Sequence, residues 1–269
     1  MRPLTMCVAV AVLCVSPGCS DGGNPMAPGA PAPGSSFTYA ALGASDVVGV
    51  GSSQPCTANF QDCNGNSYVF VAARQLRTQG YTVAVSPLGI SGAVIGKILA
   101  EALPLLPREA KLVTIFTGGN DVRGIAGNAS NGAGGSDPNG YIDQRVATFK
   151  SDFATLVAGT RSRAPDAKIV VLNLTNLGLL PFLAAAPLEV KQWAQRASVG
   201  VTNAINATSG ITVVDLMCRT VLDATGDHAA DGFHPNDSGY SVMAGEVVKA
   251  FTSSSYAAPL ASCSRMTAF

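Results

Sequence analysis

Histidine is scarce in this chain: 269 residues hold two, His228 and His234. With no CxxC pair to supply thiolates instead, a zinc or other metal centre is not expected. Charge is sparse and balanced, 13% of residues in all, with 17 Lys+Arg against 17 Asp+Glu. No basic patch or run of like charge marks a nucleic-acid partner. Aromatic residues make up 6%, which leaves few rings to stack on sugars. No phosphate-binding P-loop is present and no G-x-G-x-x-G follows a strand, so no nucleotide cofactor is expected. No internal repeat and no second domain are visible.

Apolar residues, by contrast, are plentiful at 47%. The first of them read as a processing signal over residues 1–18, with Arg2 ahead of the apolar stretch Met6–Val15, which is too short to span a bilayer as a mature helix. Ser16-Pro17-Gly18-Cys19 resembles a bacterial lipobox, with Cys19 as the lipidation site. An ordinary secretory signal cleaved nearby is the alternative. Residues 19–36, rich in Pro, Gly and Ala, read as a linker to a surface anchor. Export is the shared expectation, to the cell envelope as a periplasmic or outer-surface lipoprotein, or to the medium. About 240 residues then remain for one α/β domain over 37–269.

Of seven cysteines, Cys7 and Cys14 fall in the signal and Cys19 at its end. The even remainder, Cys56, Cys63, Cys218 and Cys263, suggests two disulfides in an oxidising compartment. Three pairings are open. The preferred one joins Cys56 to Cys63 across a short loop and Cys218 to Cys263, which would pin the C-terminal tail.

Short runs rich in Val and Ile (37–42, 81–85, 111–117, 168–174 and 211–216) are mostly apolar on both faces, as buried parallel strands are. Between them, Ile142, Val146, Phe149, Phe153, Leu156 and Val157 recur at helical spacing, as do Tyr240, Met243, Val247 and Phe251. Segments 67–79, 92–102 and 187–207 are further helix candidates. The alternation predicts a three-layer α/β/α sandwich on a five-stranded parallel sheet with right-handed crossovers. Residues 123–140, rich in Gly and Asn, are expected to form a long loop bordering a cleft.

In such a sheet, ligands bind beyond the carboxyl ends of the strands. Four polar, glycine-containing blocks fall on that rim: Gly43-Ala44-Ser45-Asp46, Leu88-Gly89-Ile90-Ser91-Gly92, Gly118-Gly119-Asn120-Asp121 and Asp231-Gly232-Phe233-His234-Pro235. A serine hydroxyl needs an adjacent base to become a nucleophile. His234 has Asp231 three residues earlier to hold one imidazole nitrogen, leaving the other for Ser45. His228 reads as a loop or cleft-edge residue, and Asp227 and Asp237 are reserve acids. The Asn120 amide and the backbone N–H groups of Gly92 and Ser45 are the candidate oxyanion donors, with Gly89 a second candidate for the glycine.

Taken in order, these blocks resemble the SGNH (GDSL-type) hydrolases over nearly all of residues 37–251. The resemblance implies the family's flavodoxin-like sandwich. It also implies Ser45 as nucleophile, His234 as general base, Asp231 as its acid, and Ser45, Gly92 and Asn120 as the oxyanion hole, with no cofactor. The family usually carries Asp directly before its Ser. Here that place holds Ala44, and Asp46 follows the serine. The G-x-S-x-G elbow of α/β-hydrolases occurs only at Gly18 to Gly22, ahead of any strand.

The expected activity is carboxylic ester hydrolysis, as an esterase or lipase, by a monomer acting on a small ester or acyl lipid. A carbohydrate acetylesterase, a thioesterase or lysophospholipase, and a non-catalytic glycan- or lipid-binding lipoprotein are the alternatives. Leu177–Ala186 is read either as the lining of an acyl pocket or as core at the end of the fourth strand.

Overall fold

The computed structural model describes residues 28–56, 63–222 and 225–269. Its strands are β1 (Ser36–Gly43), β2 (Thr82–Gly89), β3 (Ala110–Phe116), β4 (Lys168–Leu172) and β5 (Thr212–Val214). They form one parallel sheet in the order β2-β1-β3-β4-β5. The helices are α1 (Ser45–Val48), α2 (Tyr68–Thr78), α3 (Ile95–Lys97), α4 (Gly119–Ser130), α5 (Pro138–Arg163), α6 (Leu188–Asn206) and α7 (Asp237–Thr252).

The two-residue period of a strand splits the sheet between two cores. Tyr39, Ala41, Leu112, Val170, Leu172 and Val214 pack with α2 and α7. Ala40, Leu42, Val113, Ile115, Ile169, Val171 and Val213 pack with α4, α5 and α6. Both faces are covered, which is why the strands read as continuous apolar runs. From β1 the chain moves to β2 on one side and then to β3 on the other. The crevice at that switch point lies between the loops that leave β1 and β3.

Three expectations are corrected. Residues 123–140 are not a loop: α4 runs to Ser130 and α5 starts at Pro138, with a short turn between. Val122, Ile125, Ala126 and Ala129 are buried at helical spacing, and packing on the core outweighs the low helix propensity of Gly124 and Gly127. Segment 92–102 is not one helix but the short α3 followed by a π-helical turn, Ile98–Ala102, and a 3₁₀ turn containing Pro104. The end of the linker is not a free tether: Ala30 packs against the α2/α7 core and the Tyr81 hydroxyl donates to the Pro31 carbonyl at 3.2 Å. Residues 1–27, with the signal, the lipobox and Cys19, lie outside the described residues.

The structure joins Cys56 to Cys63 and Cys218 to Cys263. Among the described residues, no helix is long and apolar enough to cross a membrane.

Candidate active site

Ser45 is the first residue of α1, two residues beyond the end of β1. The turn there is tight: a Cβ on Gly43 would lie 2.8 Å from Val47 Cγ2, so only glycine fits. As the first residue of a helix, Ser45 has a backbone N–H with no intrahelical acceptor. Its hydroxyl is nearly buried and lies 2.9 Å from His234 Nε2.

His234 stands on the loop between β5 and α7, where several of its neighbours are held by hydrogen bonds. Ala229 N–H donates to the His234 carbonyl at 2.8 Å. Asn236 caps α7 by accepting from Ser238 and Gly239 N–H, while its own amide donates to the carbonyls of Gly226 and His228. Asp231 Oδ1 accepts from the Phe233 and His234 amides at 2.9 and 3.0 Å, and its Oδ2 meets His234 Nδ1 at 2.5 Å. Burial pushes the Asp231 carboxyl up, but the bonds from the His234 ring and the two amides outweigh it and leave the group below its usual range. Asp231 is therefore ionised and accepts the Nδ1 proton. The tautomer that donates from Nδ1 leaves Nε2 as an acceptor for the serine proton.

The reserve acids are occupied elsewhere. Asp227 accepts from the Ser238 hydroxyl at 2.6 Å, and Asp237 accepts from Ser53 N–H and its hydroxyl at 2.9 and 2.5 Å. His228 is buried beside the site, paired through its backbone with Pro235.

Gly92 lies in the loop after β2, in left-handed backbone at φ +75°. A Cβ on Gly89, the other candidate, would sit 2.7 Å from Val47 Cβ, so Gly89 is where the β2 loop packs under α1. Asn120 is the second residue of α4, not part of a strand-end turn, and donates one amide N–H to the Ala93 carbonyl at 3.0 Å. Its second N–H remains for the crevice. Asp121 accepts from Ile95 N–H at 3.2 Å. These two bonds hold the Gly92 loop against the start of α4.

Phe233, inside the last of the four blocks, brings two residues from outside them to the site, Phe182 and Arg123. Phe233 stands edge-to-face with His234 at 5.0 Å and with Phe182 at 5.2 Å. Arg123 sits over the Phe233 ring, 5.7 Å from its centroid. Asp121 was visible only as part of its block. Asp46, which follows the serine, has its carboxyl raised by burial, an effect opposed mainly by the charge of His234.

Beside Ser45 and His234 lies an apolar cavity of about 50 Å³, bordered by Ala44, Asn120, Phe233, Leu174, Leu177 and Leu180. Leu177 and Leu180 thus belong to both core and cavity, while Ala184 and Ala185 are exposed.

A family model described as GDSL-like Lipase/Acylhydrolase matches residues 34–242. No curated protein matches the chain. Among solved structures, the fold is similar to an extracellular lipase from Streptomyces rimosus, at 22% identity and a TM-score of 0.56 over 80% of this chain and 100% of that one. A phospholipase A1 from Streptomyces albidoflavus is similar at 20% identity and a TM-score of 0.57, over 80% and 99% of the two chains. A family 3 carbohydrate esterase from Clostridium thermocellum is similar at 18% identity and a TM-score of 0.52, over 81% and 95%.

Proposed function

Since the chain belongs to the GDSL-like lipase/acylhydrolase family and is a carboxylic ester hydrolase, we propose that it works through an acyl-enzyme on Ser45, with His234 as general base and Asp231 as its acid. The supporting observation is the unbroken relay from Asp231 Oδ2 through His234 to Ser45 Oγ, at 2.5 and 2.9 Å. Ser45 Oγ attacks the ester carbonyl as its proton passes to His234 Nε2. The resulting oxyanion accepts from the N–H groups of Ser45 and Gly92 and from the Asn120 amide. Collapse breaks the C–O bond, and His234 returns the proton to the departing alcohol. Water then releases the acid by the same route.

The acyl group enters the apolar cavity beside Asn120 and Phe233, and its small volume favours short chains such as butyryl. The apolar lining and the shortage of aromatics favour simple or lipid esters over acetylated sugars. Two disulfides fit an oxidising compartment. They support export, with Cys19 as the lipid-bearing residue where the leader is processed as a lipoprotein, and the enzyme is read as a monomer.

Hydrolysis of p-nitrophenyl esters from acetyl to palmitoyl tests the reading. A maximum at short chains is expected, with a loss of about six orders of magnitude in kcat for Ser45→Ala and His234→Ala. For Asn120→Ala the loss should be about two orders. Turnover that persists unchanged in Ser45→Ala would exclude the mechanism, and no turnover on any ester would leave a binding protein.

A further inference from the structure

Helix α4 brings more than Asn120 to the crevice. Arg123 lies one helical turn further along, on the side of α4 that carries Gly119: Phe233 packs 3.5 Å from where a Cβ on Gly119 would be, and Arg123 covers the same ring. Phe233 in turn touches the ring of His234. The guanidinium is therefore held one ring away from the catalytic base, at the rim of the crevice.

Two further observations show that this cation is unspent. Arg123 is exposed and forms an ion pair with none of the described residues; it rests on the face of Phe233. On its outer side Arg123 borders an apolar groove of about 310 Å³ walled by Ala126, Leu177, Phe182, Leu183 and Val190. Apolar walls on one side and a ring beneath reduce the screening of a charge paired there. The planar fork of arginine suits phosphate and carboxylate oxygens.

Building on the Ser45 mechanism, we propose that Arg123 determines specificity by binding an anionic group on the alcohol portion of the ester. The acyl side is taken by the cavity behind Asn120 and Phe233, so the alcohol leaves on the open side of the crevice, towards Arg123. In this arrangement a phosphate or carboxylate a few bonds from the ester oxygen meets the guanidinium, which Phe233 alone separates from the His234 ring.

The test is a matched pair of substrates, glycerol monobutyrate and the same ester carrying a phosphate on a second glycerol hydroxyl, followed by titration of released butyrate. Wild type should prefer the phosphorylated ester by about five- to tenfold in kcat/KM at low salt, mainly through KM. The preference should shrink as ionic strength rises. Arg123→Gln should bring the ratio to about one, and Arg123→Glu should push it below one. An equal rate on both esters in wild type, or an unchanged ratio in both variants, overturns the assignment of Arg123 while leaving the Ser45 mechanism standing. Failure to hydrolyse either ester overturns both.

Discussion

A methyl group on Gly51 would sit 2.8 Å from His234 Cβ and 2.6 Å from the Pro235 carbonyl oxygen. The backbone there has φ +93°, a region that alanine adopts only with strain. Gly51→Ala must therefore move either its own loop or the one that carries His234. A displacement near 1 Å at a catalytic group costs about a hundredfold in rate. The variant should lose about two orders of magnitude in kcat while its circular dichroism stays native. Near-wild-type kcat would show that the two loops move together and that the contact is not what positions His234. Nothing in the sequence distinguishes Gly51 from the many other glycines around it. Ser45, Asp231 and His234 were legible because chemistry demands their types and strand ends concentrate them. The partners of Phe233 were not, because Phe182 and Arg123 lie far from it in the chain and no periodicity relates them.

At the scale of an element, the carboxyl of Asp121 joins two of the proposed oxyanion donors. It sits in the first turn of α4 and accepts the N–H of Ile95, on the segment that follows Gly92. Burial raises its pKa to about 6, against the help of the Ile95 amide and its own. The folded protein thus holds this proton more tightly than the unfolded chain, whose Asp titrates near 3.8. Stability from this group is greatest below about pH 4 and falls as pH rises to about 6, by up to about 3 kcal/mol. Asp121→Asn keeps an acceptor for Ile95 without the buried charge. Thermal unfolding of the variant should lose this slope and show a higher Tm than wild type at pH 7. An unchanged slope between pH 4 and 6 would mean that the carboxyl is solvated. The same helix was hidden in the sequence. Gly124, Gly127 and Asn128 dilute its apolar stripe, and the block that opens it reads as a turn. The strands and α5 to α7 were legible because their apolar periods are unbroken, whereas the β2–β3 connection was misread as one helix because its bend at Ile98–Ala102 follows from local packing near Pro104.

For the whole molecule, the two disulfides divide the labour between stability and the site. Cys218–Cys263 spans 45 residues and Cys56–Cys63 spans 7. On loop-closure entropy the first should contribute about 4 kcal/mol and the second about 2. The longer bridge also secures a tail that holds itself by other means. The Arg265 carbonyl accepts from Asn176 at 2.7 Å, Gln195 bonds to Phe269 at 3.0 and 3.1 Å, and the buried Asp215 accepts from Leu260 N–H at 3.0 Å. None of those residues touches Ser45 or His234. The shorter bridge holds the segment that follows α1. Cys56 N–H donates to the Val48 carbonyl at 2.7 Å, and Ser53 nearby is bonded to Asp237 at the start of α7, just after His234. Replacing Cys218 and Cys263 together by Ser should lower Tm by roughly 10 °C yet leave kcat on a butyryl ester within about threefold at 25 °C. Replacing Cys56 and Cys63 should lower Tm by about half as much but cut kcat by about tenfold or more, because it loosens the backbone between Ser45 and His234. The ordering is what decides: a larger loss of kcat from the Cys218/Cys263 pair would place the control of the crevice in the C-terminal tail instead of in the loop after α1.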